Sequence, residues 1–365
     1  MLKQNLKIIF ILGTFFIFPN LVWGAPSISG VSGNLSDGQN VTIAGNSFGS
    51  HDLNIEWLGG SSGLIESGTS GQIPIRSNWN FGTSWADTYF SDDYVHSGTK
   101  SLKVSTNNTN YNGDIRYDSG INMGPGEDIF VSWWVRREHS GTGQWKMFRL
   151  DFENDITDGP YQLVMFNWDT QQQFIVRPGP SIEENSWQDW SPPYPSQDNR
   201  WYRLDLSIHI SDYGVSNGSY SMDVQDPVSG GFISNMTLLN KLSFIDSNGF
   251  YRWFLWQNYA GNGVISQTTW FDDIYIQVGT QARVEIGDAS TWSNCTFKEM
   301  QPPASWNNSQ ILINLNKGSF SNGETAYLYV VDENGDFNET GYPITFAADS
   351  GDIIPPAAPV NLSVL

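Results

Sequence analysis

Apolar and polar residues alternate with a period of two along most of this chain, and no stretch after residue 24 keeps the 3.6-residue period of a helix. The clearest case is 201–211. There Tyr202, Leu204, Leu206, Ile208 and Ile210 form one unbroken apolar face, with Trp201, Arg203, Asp205, Ser207 and His209 opposite, because successive strand side chains point to opposite sides. Met147, Arg149, Asp151 and Glu153 alternate less cleanly with Phe148, Leu150 and Phe152. Similar segments bounded by Gly, Asn, Asp and Pro predict strands at 100–105, 129–137, 145–152, 161–168, 173–177, 201–210, 219–224, 250–259 and 269–278. Nine or ten strands with no linker between them predict one two-sheet jelly roll over 60–279, and the fold class is all-β.

The ends of the chain follow the same pattern on a smaller scale. Short strands are predicted at 27–31 and 40–44, and Phe48 sits in a turn between Gly45 and Gly49. Residues 25–59 are too few to bury a core alone. Alternation resumes over 280–348, punctuated by NKG, DENGD and NETG turns. Two arrangements are open: one sandwich split by the inserted jelly roll, or an independent C-terminal sandwich edged by the N-terminal strands. Residues 349–365 are Pro-rich and read as an extended linker.

Residues 1–24 carry Lys3 and Lys7, an apolar run from Ile8 to Phe18, and the small residues of a cleavage site before Ala25. That is a secretory signal peptide. The run is shorter than the ~20 residues of a membrane span and Pro19 ends it, so the expected location is extracellular or at the cell surface.

Composition narrows the function classes. The 365 residues hold 18 Lys+Arg against 38 Asp+Glu, and only 15% are charged. Such a chain lacks the basic surface that a nucleic-acid binder needs. One Cys excludes a disulfide scaffold and four scattered His exclude a His-rich metal site. Sixteen Trp supply a large core, with some left for a surface.

Three resemblances add to this reading. VTIAGNSFG (Val41–Gly49) resembles the signature of IPT/TIG immunoglobulin-like domains, and the strands after residue 305 resemble that family's closing strands. VHSGTKSLKV, FVSWWVRRE, RWYRLDLSIHI and WFDDIYI occur in an order that resembles the concanavalin A-like lectin/glucanase superfamily, in particular its polysaccharide-lyase-like jelly rolls. The PPAAPVNLSVL tail resembles the lead-in to a fibronectin type III domain. The superfamily resemblance implies saccharide on a concave sheet, and a late Asp, here Asp272 or Asp273, binding a structural Ca²⁺. No other cofactor is implied.

Saccharide recognition needs aromatic platforms and planar polar groups. The candidate ligand-binding residues are Arg149, Asp151, Glu153, Arg203, Asp205 and His209 on the two polar rows. Trp187 and Trp190 join them from a Pro-stiffened aromatic loop over 185–201, and Trp256 and Gln257 from a strand. Trp134, Trp168 and Tyr259, with Arg136, Arg177 and Asn258 nearby, fit the same description. A lyase needs a group that neutralises a uronate carboxylate and a base at C5; Arg149 or Arg203 would neutralise, and His209 or a Tyr would act as base. The Asp151, Glu153, Asp155 spacing fits a retaining glucanase less well, because Asp stands where the longer Glu is needed. The expected function is polysaccharide binding, with a uronate-specific lyase as the alternative. A non-catalytic subunit of a surface assembly, with cell-surface or matrix proteins as partners, is the third reading.

Overall fold

A computed structural model describes residues 24–347 except 61–62, 82–87, 107–113, 142–143, 154–161, 169–171, 178–185, 191–197, 229, 245–248 and 262–263; over 152–197 it describes strand backbone only. The signal-peptide residues before 24 and the Pro-rich tail therefore lie outside the described residues. The chain opens with β1 (Ser27–Gly33), β2 (Asn40–Asn46) and β3 (Ile55–Trp57). It continues through β4 (Trp79–Asn80), β5 (Thr88–Ser91), β6 (Ser101–Thr106), β7 (Asp114–Met123), β8 (Asp128–Gly141) and β9 (Gln144–Glu153). Next come β10 (Gln162–Trp168), β11 (Gln172–Arg177), β12 (Ser186–Trp190), β13 (Trp201–His209), β14 (Gly218–Asp226) and β15 (Gly231–Lys241). The long hairpin of β16 (Phe250–Gly261) and β17 (Val264–Val278) ends this middle region. The C-terminal strands are β18 (Arg283–Gly287), β19 (Lys298–Gln301), β20 (Pro303–Asn307), β21 (Gln310–Asn314), β22 (Thr325–Val331) and β23 (Tyr342–Thr345). No α-helix occurs among the described residues, so the chain is all-β.

The middle region forms two antiparallel sheets. One has seven strands in the order β12-β11-β10-β9-β16-β7-β4, the other eight in the order β15-β14-β13-β8-β17-β6-β5, with β3 added on β17. The apolar face of β13 meets this sandwich's core: Tyr202, Leu204, Leu206 and Ile208 are all buried there. Trp133 and Trp256 pack with Phe148 at its centre, with ring centroids 5.1 to 6.3 Å apart. Fourteen strands occupy 60–279 where alternation predicted nine or ten. β4 and β5 are too short to show a period, β7 (DIRYDSGINM) and β15 (GFISNMTLLNK) are too polar, and β12 lies where prolines suggested a loop.

The two ends of the chain build a second, smaller core. β2 pairs with β21, setting Val41 opposite Ile313 and Ile43 opposite Ile311. Val41, Ile43 and Phe48 share one buried cluster with Val284, Ile286, Leu315, Leu328 and Val330. Phe48 reaches it across Gly45, where a Cβ would lie 2.4 Å from the Phe48 ring, so no larger residue fits that turn. Two four-stranded sheets, β1-β2-β21-β20 and β19-β18-β22-β23, enclose this cluster.

This flanking module docks on the outer face of the eight-stranded sheet through charge. The Arg203 guanidinium is fully buried. It donates to Ser132 Oγ (2.9 Å), Asp205 Oδ1 (2.8 Å), the Lys298 carbonyl and Glu285 Oε2 (2.9 Å). Arg283 Nε donates to the other Glu285 oxygen at 2.7 Å. Gln225 bridges the modules, donating to Asp205 Oδ2 at 3.1 Å and accepting the Lys298 N–H at 2.8 Å. Phe130, Tyr275 and Met300 supply the apolar part of the joint.

Burial alone would raise the Glu285 pKa, but the charges of Arg203, Arg283 and Lys298 outweigh it and hold the carboxyl down to about 2. A folded-state value below the ordinary one means that the stability Glu285 contributes is present above its usual range, around 4.5, and is lost as pH falls toward 2. Glu285→Gln is therefore expected to be destabilised by about 3–5 kcal/mol at neutral pH, because it leaves Arg203 buried and under-compensated. It should also show a smaller loss of urea midpoint across that acid window than the wild type; equal acid sensitivity in both proteins would remove Glu285 from this role.

Candidate functional site

With one sheet face covered, the site question turns on the other. Every described hydrogen bond from the flanking module to the jelly roll involves the eight-stranded sheet or loops beside it, as with Arg203, Trp134, His96 and Gln281. Among the described residues, none of these bonds reaches the outer face of the seven-stranded sheet.

Register defines a row across this face, because directly opposed residues share a side. Asn80 opposes Arg116, Arg116 opposes Leu255, and Leu255 opposes Arg149. Val164, Ile175 and Trp187 continue the row in backbone register across β10, β11 and β12. Six strand spacings of about 4.8 Å make the row about 29 Å long, enough for several sugar residues of a polymer. One step along the strands, Trp253 opposes both Asp118 and Asp151. Arg252 grips Asp118 with two guanidinium nitrogens, and this contact holds the Asp118 carboxyl below its ordinary range.

Arg149 sits at the centre of the row. It is half-buried, and its Nε is shielded from water yet donates to no acceptor. Such an orphan donor costs about 1–3 kcal/mol, more for a charged group, so it marks a place where an acceptor is expected. Arg116, two strands away and about 10 Å distant by strand spacing, is exposed. Asp151 is half-buried beside Arg149, and Gln257 is buried on the same face.

Several expected site residues lie elsewhere. Arg203 and Asp205 belong to the docking joint; the polar face of β13 covers a protein surface, not a sugar. Trp134 shares this fate, its Nε1 donating to Glu299 Oε2 at 3.1 Å. His209 is on the same covered sheet, a third exposed and 2.9 Å from Asp128 Oδ1, so the structure does not bring it together with Arg149 as base and carboxylate-neutralising group. It borders a groove of about 360 Å³ whose lining includes Asp223, Arg283 and Trp292. Trp256 is fully buried in the core. Asn258, two residues on from Trp256 and so on the same inner face, is buried as well and bonds to Val104 O and Gln267. The side chains of Glu153, Trp168, Arg177, Trp187, Trp190 and Tyr259 lie outside the described residues.

Asp272 and Asp273 also depart from expectation. Alternation puts them on opposite faces, yet both are buried, because the strand bulges between Asp272 and Tyr275 and Asp273 takes a φ of +46°. Asp272 accepts the backbone N–H groups of His96, Ser97 and Asp273. Sequence reasoning missed Arg116, Trp253 and Asp118, all on or beside the polar β7, whose pairing with β16 no local period announces.

No protein-family model matches the chain, and no curated protein sequence matches it. Among solved structures it is similar to the endo-β-1,4-glucuronan lyase of the fungus Trichoderma reesei at 13% identity, over 56% of this chain and 95% of that one, with a TM-score of 0.42. The PL-14 alginate lyase of Aplysia kurodai is 13% identical over 52% and 86% of the two chains, with a TM-score of 0.40. The lectin UEA-II, complexed with galactose, is 11% identical over 63% and 100%, with a TM-score of 0.39.

The geometry separates core from site experimentally. Trp256→Ala is expected to cost about 3–5 kcal/mol in urea unfolding, the price of emptying a buried indole. His209→Ala, a half-buried surface pair, should change stability by about 1 kcal/mol or less. A Trp256→Ala chain as stable as the wild type would place that ring outside the core.

Proposed function

We propose that this is a secreted polysaccharide-binding protein that takes its ligand along the outer face of the seven-stranded sheet, with Arg149 at the centre. The observation that carries the reading is the half-buried Arg149 guanidinium, whose Nε finds no acceptor on the face the flanking module leaves open. A guanidinium pairs with carboxylate in a bidentate fork, so uronate-containing glycans are the preferred class. Arg116 on the same row supports this, offsetting locally the repulsion that a formal charge of −20 sets up against a polyanion. The flanking module, read as immunoglobulin-like of the IPT/TIG type, holds the jelly roll by its other sheet and orients the binding face away from itself. Cell-surface or matrix proteins are its expected partners.

Binding is favoured over lyase chemistry because the chain's four histidines, His51, His96, His139 and His209, all lie off the seven-stranded sheet. A lyase on this face would need a tyrosine base.

A glycan array run with a lyase assay tests the proposal. Uronate polymers are expected to bind without generating the ultraviolet absorbance of an unsaturated uronate. One charge-assisted hydrogen bond contributes about 1.5–3 kcal/mol, so Arg149→Met should weaken binding by about 10–100-fold. Its thermal midpoint should stay equal or rise, since the variant removes an unmet donor. Binding unaffected by Arg149→Met overturns the site, product absorbance replaces binding by the lyase reading, and no response to any glycan overturns the function.

A further inference from the structure

We propose that His96, Asp273 and Glu299 hold a divalent transition-metal ion, with Zn²⁺ the best fit, that clamps the jelly roll to the flanking module. The three side chains come from different parts of the chain: the loop between β5 and β6, the bulge of β17, and β19 of the flanking module. One ligand atom from each lies within 4.8 Å of the other two. The group is thus a meeting point of both modules, independent of the saccharide face.

Three features of the cluster point to a cation. Asp273 is 3% exposed and its Oδ2 is buried with no hydrogen-bond partner. Asp272, Asp273 and Glu299 bring three carboxylates into one buried region, against which the described contacts set a single imidazole, that of His96. Charges buried together without compensation are costly, and metal coordination is one of the ways proteins meet that cost. The third feature is the support around the ligands. Ser319 donates its N–H (3.1 Å) and hydroxyl (2.8 Å) to Glu299 Oε1, and Trp134 Nε1 fixes the other oxygen at 3.1 Å. The His96 ring lies flat on Trp134, with centroids 3.6 Å apart. Gly60 N–H donates to Asp273 Oδ1 at 3.3 Å, leaving Oδ2 as its ligand atom. Outer partners of this kind orient metal ligands.

The donor set selects the metal. One imidazole nitrogen and two carboxylate oxygens suit Zn²⁺, with water in a fourth position, while Ca²⁺ and Mg²⁺ prefer oxygen throughout. His96 Nε2 and Glu299 Oε1 are 2.9 Å apart, within hydrogen-bond distance. A metal ion between them would replace any proton held there, which leaves to solvent.

The test uses the full mature chain. After exposure to Zn²⁺, Ca²⁺ or Mn²⁺ and desalting, elemental analysis is expected to find one zinc per chain. Cobalt substituted at the same site should give the visible absorption of a four-coordinate ion, a readout that needs no variant. Chelation should lower the thermal midpoint by several degrees, and zinc should restore it. Asp273→Asn is nearly isosteric and Asn also tolerates positive φ, so the variant should fold. It should lose more zinc affinity than the about 10–100-fold typical of an outer-shell partner. Retention of calcium in preference to zinc, absence of stoichiometric metal in the wild type, or undiminished zinc in folded Asp273→Asn would each overturn the proposal.

Discussion

The Arg203 guanidinium fixes the geometry on which the rest of the molecule depends. A fully buried arginine is tolerated only when its donors are matched, since stripping its hydration costs several kcal/mol. Here the acceptors come from both sides of a joint: Ser132 and Asp205 from the jelly roll, Glu285 and the Lys298 carbonyl from the flanking module. A hydrophobic patch would permit sliding. A charge with directional partners on two bodies permits one arrangement, and that arrangement assigns the eight-stranded sheet to docking and the seven-stranded sheet to solvent.

Topology reinforces the same division. β2 pairs with β21 although some 270 residues separate Val41 from Ile313, so the jelly roll is an excursion between two halves of one small core. Both ends of the excursion leave side by side, because β3, just after the N-terminal strands, pairs with β17, just before the C-terminal ones. The joint is therefore tied covalently at two points as well as by charge. Pairings so distant in sequence carry a high loop-closure cost and form slowly, which favours a jelly roll that folds first and brings the ends together.

The strands were readable where one face was apolar and the other polar, as in β13. What that alternation could not tell was what the polar face meets. Arg203, Asp205 and His209 look the same in sequence whether they face a sugar, water or another module; only the distant Glu285 and Lys298 decide it. Parity failed at a bulge. The irregularity after Asp272 shifts its strand, so Asp272 and Asp273 are both buried although they are adjacent. The value of Arg149 was visible as part of a polar row, but Arg116 was not, because β7 interleaves polar residues on both faces and gains its place only by pairing with β16.

Hydrogen-bond bookkeeping separates the two arginines that the sequence presented as equals. Arg203 spends its donors on acceptors already in the chain, and removing it would strand Glu285; it is a structural ion whose energy is used up in holding two modules together. Arg149 lies at an equivalent step of an equivalent alternating strand, yet its shielded Nε has nothing to donate to. Folding does not select for an unmet donor, which lowers stability by about 1–3 kcal/mol. On the proposed reading the missing acceptor is a hydroxyl or carboxylate of the ligand, on a sheet face that also carries Arg116, Asp151 and Trp253. The difference between the two residues lies in their partners alone: one guanidinium joins two modules, and the other keeps a shielded donor unmet.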